Sequence, residues 1–206
     1  MRDKLWAMEV DEEEKEAKIG SDDGDSDSEN RVSTLNNRIY FYSEVSRSKV
    51  LSLNKNIQSI GVKLKNHGAS LCIPTPELYL HINSYGGSVF AGMAAVDYIR
   101  KSPADITTVI DGCAASAATL MSVVGKHRQI NEHSFMLIHQ LSTSMWGKFE
   151  DLKDDMKNNE LLMKVIKDIY EEHTKIPKKE LSKILKHDLW WDAKTCLKYG
   201  LVDEII

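Results

Sequence analysis

The chain has 206 residues, 42% of them hydrophobic and 28% charged, and a formal net charge of −4. That is enough chain for one domain with a substantial core, in ordinary globular composition, and no apolar run approaches the length of a membrane span. The charge is uneven, because Glu9 to Glu29 holds eleven acidic residues against Lys15 and Lys18.

Residues 1–34 read as an acidic, disordered tail, dispensable for any chemistry further along. The tail lacks the apolar stretch of a secretory signal. Its alternating aspartates lack the glutamate that would close an EF-hand loop. Residues 35–206 are then the folded domain. Cys72, Cys113 and Cys196 are scattered and odd in number, which suits a reducing, cytoplasmic compartment and not a disulfide framework.

Arg38 to Tyr42 is strand-like, and Ser46 to Ile60 has helical spacing through Val50, Leu53, Ile57 and Ile60. Gly61 to Pro76, polar and broken by glycine and proline, reads as a loop. Leu78 to Ile82 is a strand, and Asn83-Ser84-Tyr85-Gly86-Gly87-Ser88 turns it into a helix that reaches Arg100 and stops at Ser102-Pro103. The β-branched run Ile106 to Ile110 leads to Gly112-Cys113-Ala114-Ala115-Ser116, with the tight turn expected at the glycine. Ala117 to Val124 follows as a buried helix. Phe135 to Ile138 is a short apolar strand ending on His139. Phe149 to Tyr170 is the longest helical signal, a further helix lies between Pro177 and Lys186, and Leu201 to Ile206 is a last strand. Strands alternating with helices point to an α/β fold built of βαβ units.

Three strand tips thus offer a glycine turn, a serine and a histidine. A serine among alanines is commonly a packing residue, Gly-Gly a plain turn, and a histidine at a strand end a satisfied polar group. Taken together they match an acyl-transfer site: nucleophile, base, and backbone N–H groups at turns and helix starts for an oxyanion. Cys113 is a competing nucleophile by position, although no cation lies beside it in sequence.

Asn83-Ser84-Tyr85-Gly86-Gly87, Gly112-Cys113-Ala114-Ala115-Ser116, Met136-Leu137-Ile138-His139-Gln140 and Tyr199-Gly200-Leu201-Val202-Asp203 resemble the proteolytic-subunit family of Clp protease, in order and spacing. The resemblance covers Leu78 to the C-terminus and thins toward Arg38. It implies the fold shared by Clp proteolytic subunits and crotonases, repeated βαβ units with a projecting handle helix, here Phe149 to Tyr170. The implied activity is that of a serine endopeptidase of an ATP-dependent protease. Ser116 would be nucleophile, His139 base and Asp188 the third triad member, with the N–H groups of Gly87 and Ala117 as oxyanion hole.

The same resemblance implies no metal or organic cofactor, ATP being used only by a separate unfoldase. It implies peptide substrates, stacked heptameric rings and an AAA+ partner or a mixed ring, with neither nucleic acid nor membrane as partner. The order Ser, His, Asp and the spacing Gly112-x-x-x-Ser116 disfavour an α/β-hydrolase. A ring subunit with a purely structural or partner-binding role is the alternative, and an acyl-CoA enzyme of the crotonase type a more distant one.

Three features depart from the family pattern. Tyr85 stands where the family has proline, and Lys186-His187 where it has an acid and an arginine that link rings. His81, Lys101 and Asp111 fall in the cleft that receives the unfoldase's apolar loops, although Tyr79 and Val109 there stay apolar. Burying an aliphatic anchor beside unpaired polar groups is costly, so weak docking of a standard unfoldase is expected.

Overall fold

A computed structural model describes residues 32–206, so most of the expected acidic tail lies outside the described residues. Fourteen elements follow in order, beginning with β1 (Ser33–Leu35) and β2 (Arg38–Tyr42). These two pair antiparallel, Ser33 opposite Tyr40, through a turn at Asn36 with φ 54°. Val32 is already buried at the start of this hairpin, so regular pairing reaches back across the boundary expected at residue 35.

Helix α1 (Arg47–Leu71) starts where the Ser46 side chain accepts from the Lys49 N–H. It runs well past Ile60, through the stretch expected to be a loop. Its glycines mark close packing and not a break: a Cβ on Gly61 would stand 3.0 Å from Pro103 Cδ, and one on Gly68 3.0 Å from Thr75 Cα. The helix ends only where Cys72 turns left-handed, with Cys72 N–H bonded to Ala69 and Ile73 N–H to Gly68.

Strand β3 (Leu78–Ser84) is the centre of the sheet. Leu78, Leu80 and Ile82 are fully buried against the helix layer, each contributing about 1.5–3 kcal/mol of desolvation. It leads through the Ser88 cap into α2 (Val89–Arg100). Then come β4 (Ile106–Ala115), α3 (Ala117–Val123), β5 (His127–Ile130) and β6 (Phe135–Leu137). The chain closes with α4 (Phe149–His173), α5 (Lys178–Ile184), β7 (Trp191–Asp192), α6 (Ala193–Lys198) and β8 (Glu204–Ile205). The polar strand β5 and the two-residue β7 carry too little periodicity to be expected from sequence. The closing strand is also much shorter than Leu201 to Ile206.

The sheet runs β1-β2-β3-β4-β5-β8, parallel after the first pair, with β6 on β4 and β7 antiparallel on β6. Strand β4 serves two partners in succession: Thr107 to Ile110 pair with β5, and Cys113 to Ala115 pair with β6. Between them Gly112 sits at φ 76° and the register against β3 shifts between Ile82 and Ser84. Gly112 is therefore a bulge inside the strand, not the turn before the serine, and it aims the strand's last residues at a new neighbour.

Helices α1 to α3 cover one sheet face. On the other, Asp111 accepts from Tyr42 Oη at 2.6 Å, His81 Nδ1 at 2.8 Å and Asn131 Nδ2 at 2.7 Å. Arg38 Nη1 lies 2.8 Å from His81 Nε2, and because arginine only donates, His81 is the neutral Nδ1–H tautomer here. His81 and Asp111 are thus satisfied by each other instead of unpaired as the sequence suggested. Lys101 stands apart and pairs with Asp97 at 3.5 Å.

Only Ile166 and Tyr170 of α4 are buried, while Phe149, Met156 and Leu161 are exposed. The helix is anchored at its C-terminal end and projects at the other, as the handle was expected to do. Its anchor is a bond between Tyr170 Oη and Thr119 Oγ1 on α3, at 2.6 Å.

Candidate active site

Ser116 occupies the single residue between the end of β4 and the start of α3. Its backbone is at φ 55°, ψ −128°, a conformation that costs a non-glycine residue about 1–3 kcal/mol. Neighbours on both sides hold it there: Ser116 N–H donates to Leu137 C=O at 2.9 Å, and Ser116 C=O accepts from Thr119 N–H and from Thr119 Oγ1. The side chain makes no capping hydrogen bond to α3, so Oγ is left for other chemistry. The sharp turn belongs to the serine itself.

The turn Tyr85-Gly86-Gly87 closes over this corner. Gly86 and Gly87 take φ 102° and 142°. A Cβ on Gly86 would stand 2.6 Å from Ser116 Cβ and 2.7 Å from Ala115 O. Val45 clamps the same turn, with Val45 N–H donating to Gly86 C=O at 2.7 Å and Ser88 N–H donating to Val45 C=O at 2.8 Å. These bonds use the amides on either side of Gly87 and leave its own N–H for a ligand. Ala117 N–H, the first of α3, is one of the amides that a helix start leaves without an intrahelical partner. Val45 is a contributor that sequence patterns missed; its only local signal is an apolar residue just before the Ser46 cap.

His139 follows β6, where Gln140 N–H donates to Leu185 C=O at 2.7 Å and Leu141 N–H points at Met163 Sδ. Those contacts pin the segment between α5 and α4. His139 Nδ1 lies 3.2 Å from Asp188 Oδ1, with the imidazole mostly buried. Asp188 reaches it from the turn after α5, which is drawn tight by Lys186 N–H to Lys183 C=O and His187 N–H to Ile184 C=O. A carboxylate on Nδ1 fixes the tautomer in which Nε2 is the basic nitrogen.

Gly87, Ser116, Ala117 and His139 line one cavity of about 260 Å³, whose far wall is apolar and includes Leu120, Leu141, Ile166 and Tyr170. Of the triad and oxyanion candidates, Ser116, His139, Gly87 and Ala117 line this cavity, and Asp188 is paired with His139 at its side. The apolar wall contributed by α4 and α3 was not anticipated. Cys113, the rival nucleophile, does not line this cavity; burial pushes its thiol pKa up, and its Sγ lies 3.6 Å from Asn83 Oδ1. A thiol so placed has little thiolate at neutral pH.

A family model described as Clp protease matches residues 37–206, nearly all of the described structure. The chain belongs to the Clp protease family. It is 33% identical over 135 residues to an ATP-dependent Clp protease proteolytic subunit of Deinococcus radiodurans, covering 65% of this chain and 66% of that protein. A Streptococcus mutans protein of the same description is 35% identical over 136 residues, covering 64% of this chain and 69% of its own length. Proteolytic subunit 3 of Rhodococcus jostii is 32% identical over 135 residues, covering 65% and 67%. The matched stretch is thus about two thirds of each relative's length.

Within this Clp-family chain the first departure from the expected pattern has a visible consequence. Tyr85 is 79% exposed, and its ring meets Trp190 edge to face at 6.3 Å. At the position where the resemblance implies a proline, this aromatic leans across to the Asp188 segment. No helix of the described residues is long and apolar enough to cross a membrane.

Proposed function

We propose that this chain is a serine endopeptidase, the cytoplasmic proteolytic subunit of a Clp-type ATP-dependent protease. The observation that carries the reading is the strained Ser116 at the mouth of a cavity shared with His139, whose other ring nitrogen is paired to Asp188. A packing serine has no use for a left-handed backbone, and a structural histidine has no need of an orienting carboxylate beside a cavity.

In this reading Ser116 Oγ attacks a peptide carbonyl while His139 Nε2 takes its proton. The carbonyl oxygen becomes an oxyanion held by Gly87 and Ala117 N–H. His139, now imidazolium and stabilised by Asp188, returns the proton to the leaving amine as the C–N bond breaks. Water then enters, gives its proton to His139 and attacks the Ser116 ester, which releases the acid and restores the serine. The apolar wall of Leu141, Ile166 and Tyr170 takes a side chain of the acyl segment and holds the carbonyl in place. Every step uses this chain's own groups; ATP enters only through a separate unfoldase.

The same reading makes the active form a ring assembly, stacked heptamers in the family manner. The exposed apolar half of α4 is a surface suited to burial between rings. Lys186 and His187 in place of an acid–arginine pair weaken that contact, so light scattering should find single rings beside stacked ones. The Arg38–His81–Asp111–Tyr42 network makes the cleft face polar, and an apolar unfoldase loop would have to cover paired charges. A partner of different chemistry, or a mixed ring whose other subunits supply the clefts, follows. Labelling by a fluorophosphonate tests the core of the proposal: wild-type protein should react once per chain, and Ser116→Ala not at all. Reaction at another residue, or none in wild type, would favour a structural ring subunit.

A further inference from the structure

We propose that Tyr85, Phe135 and Trp190 form a second substrate subsite, which takes a large apolar side chain two or three residues from the scissile bond. The proposal rests on the peptidase reading above. The three aromatics and Cys113 line a separate cavity of about 340 Å³. Tyr85 is 79% exposed, and Phe135 and Trp190 are each 43% exposed, so three large apolar rings face one hollow. Clustered exposure of this kind is unfavourable unless something covers it in use.

A peptide is the occupant because the cavity is built from the same four segments as the chemistry. Tyr85 precedes Gly87 in one turn, Cys113 precedes Ser116 at the end of β4, Phe135 precedes His139 through β6, and Trp190 follows Asp188. Tyr85 also lines the catalytic cavity and so forms the wall between the two. Cys113 and Phe135 are direct partners on the β4–β6 pair, whose other end, Ala115 opposite Leu137, delivers Ser116 and His139. Three strand residues from Cys113 to Ser116 span about 10 Å, which is also the length of about three residues of extended peptide. A peptide laid across Ser116 therefore places one side chain against Ile166 and Tyr170 and another, beyond Tyr85, among the aromatics.

The chemistry of the lining selects for size and apolarity. Tyr85 and Trp190 meet edge to face at 82°, an arrangement that a third aromatic side chain can extend. Cys113, its thiol pKa raised by burial, acts there as a small apolar floor.

The test uses internally quenched peptides in which each of three positions on either side of the scissile bond carries alanine, leucine or phenylalanine in turn. Wild-type protein should favour phenylalanine or leucine over alanine at least about tenfold in kcat/KM at one position two or three residues from the cut. In Phe135→Ala and Tyr85→Ala that preference should fall below about threefold, while the preference at the position served by Ile166 and Tyr170 persists. Should Tyr85→Ala fail to fold, Phe135→Ala alone decides. Fluorophosphonate labelling of the same preparations separates the two layers. Labelled wild type with no such preference, or variants that keep it, overturns the subsite alone; unlabelled, inactive wild type overturns the peptidase reading and the subsite with it.

Discussion

Gly86 and Ser116 come so close that a Cβ on Gly86 would stand 2.6 Å from the Cβ of Ser116, well inside van der Waals contact. The two residues hold each other in unusual backbone conformations, Gly86 at φ 102° and Ser116 at φ 55°. Neither Cβ position can yield, because Ala115 O stands 2.7 Å away on the same side and Val45 clamps the turn from behind. The Tyr85-Gly86-Gly87 turn and Ser116 are therefore one mechanical unit, although they follow different strands, β3 and β4.

Gly86→Ala should accordingly act as an active-site mutation with no loss of a functional group. The added methyl must push the Gly87 amide or Ser116 away, and a displacement near 1 Å costs about a hundredfold in rate. Steady-state hydrolysis of a short fluorogenic peptide, alongside circular dichroism to show that the fold persists, checks this. Activity within threefold of wild type would mean the turn is not coupled to the nucleophile.

Ser116→Gly and Ser116→Ala should both be inactive but differ in stability. Glycine relieves a strain of about 1–3 kcal/mol, offset by the 0.5–1 kcal/mol that its freer unfolded chain costs. Urea unfolding should therefore find Ser116→Gly more stable than Ser116→Ala by about 1 kcal/mol. Equal or reversed stabilities would show that the left-handed backbone is unstrained.

Asp188→Asn keeps the shape of the His139 contact but removes the charge that stabilises the imidazolium. An amide also favours the wrong tautomer, so kcat should fall by about three to four orders of magnitude with little change in KM. Fluorophosphonate labelling should slow in parallel. A loss under tenfold would remove Asp188 from the triad.

Asp111→Asn should destabilise without touching the chemistry. Burial pushes the Asp111 pKa up, yet hydrogen bonds from His81, Tyr42 and Asn131 outweigh it and leave the carboxyl below its ordinary value. Because the folded pKa is the lower one, this stabilisation is present above the unfolded pKa near 4 and is lost as pH falls through the folded value. Asp203 acts in the same direction through its hydrogen bond from Arg128. An asparagine amide at 111 would face donors, costing about 1–3 kcal/mol at pH 7. Urea melts from pH 7 to pH 2.5 should show that penalty shrinking as the wild type protonates; a constant difference would contradict the assignment.

Truncation at the N-terminus has two expected outcomes on either side of Val32. Removing residues 1–31 should leave peptide hydrolysis within a fewfold, since the eleven acidic residues between Glu9 and Glu29 make that segment poor in apolar side chains. Removing Val32 to Leu35 as well strips β1 from β2, opens a sheet edge and should raise aggregation. Size-exclusion profiles of the two deletions make the comparison.

Much of this protein is written locally, and the local part was legible. The helix opening at Ser88, the strands carrying Leu80, Ile110 and Met136, and the long helix from Phe149 all follow from periodicity and breaker residues, which depend on residues a few positions apart. The positions of Ser116 and His139, just past the ends of strand runs, were legible for the same reason. What escaped depends on partners far along the chain. Helix α1 passes Gly61 because Pro103 packs there, and Gly112 bulges because β4 changes neighbour from β5 to β6. His81 and Asp111, polar in isolation, are satisfied by hydrogen bonds with each other and with Arg38, Tyr42 and Asn131 from elsewhere in the chain. The strained turn at Ser116 has no sequence signature either: any glycine nearby invites that role, and Gly86 pressing from the turn after β3, with Leu137 and Thr119 bonding to its backbone, holds a serine in it.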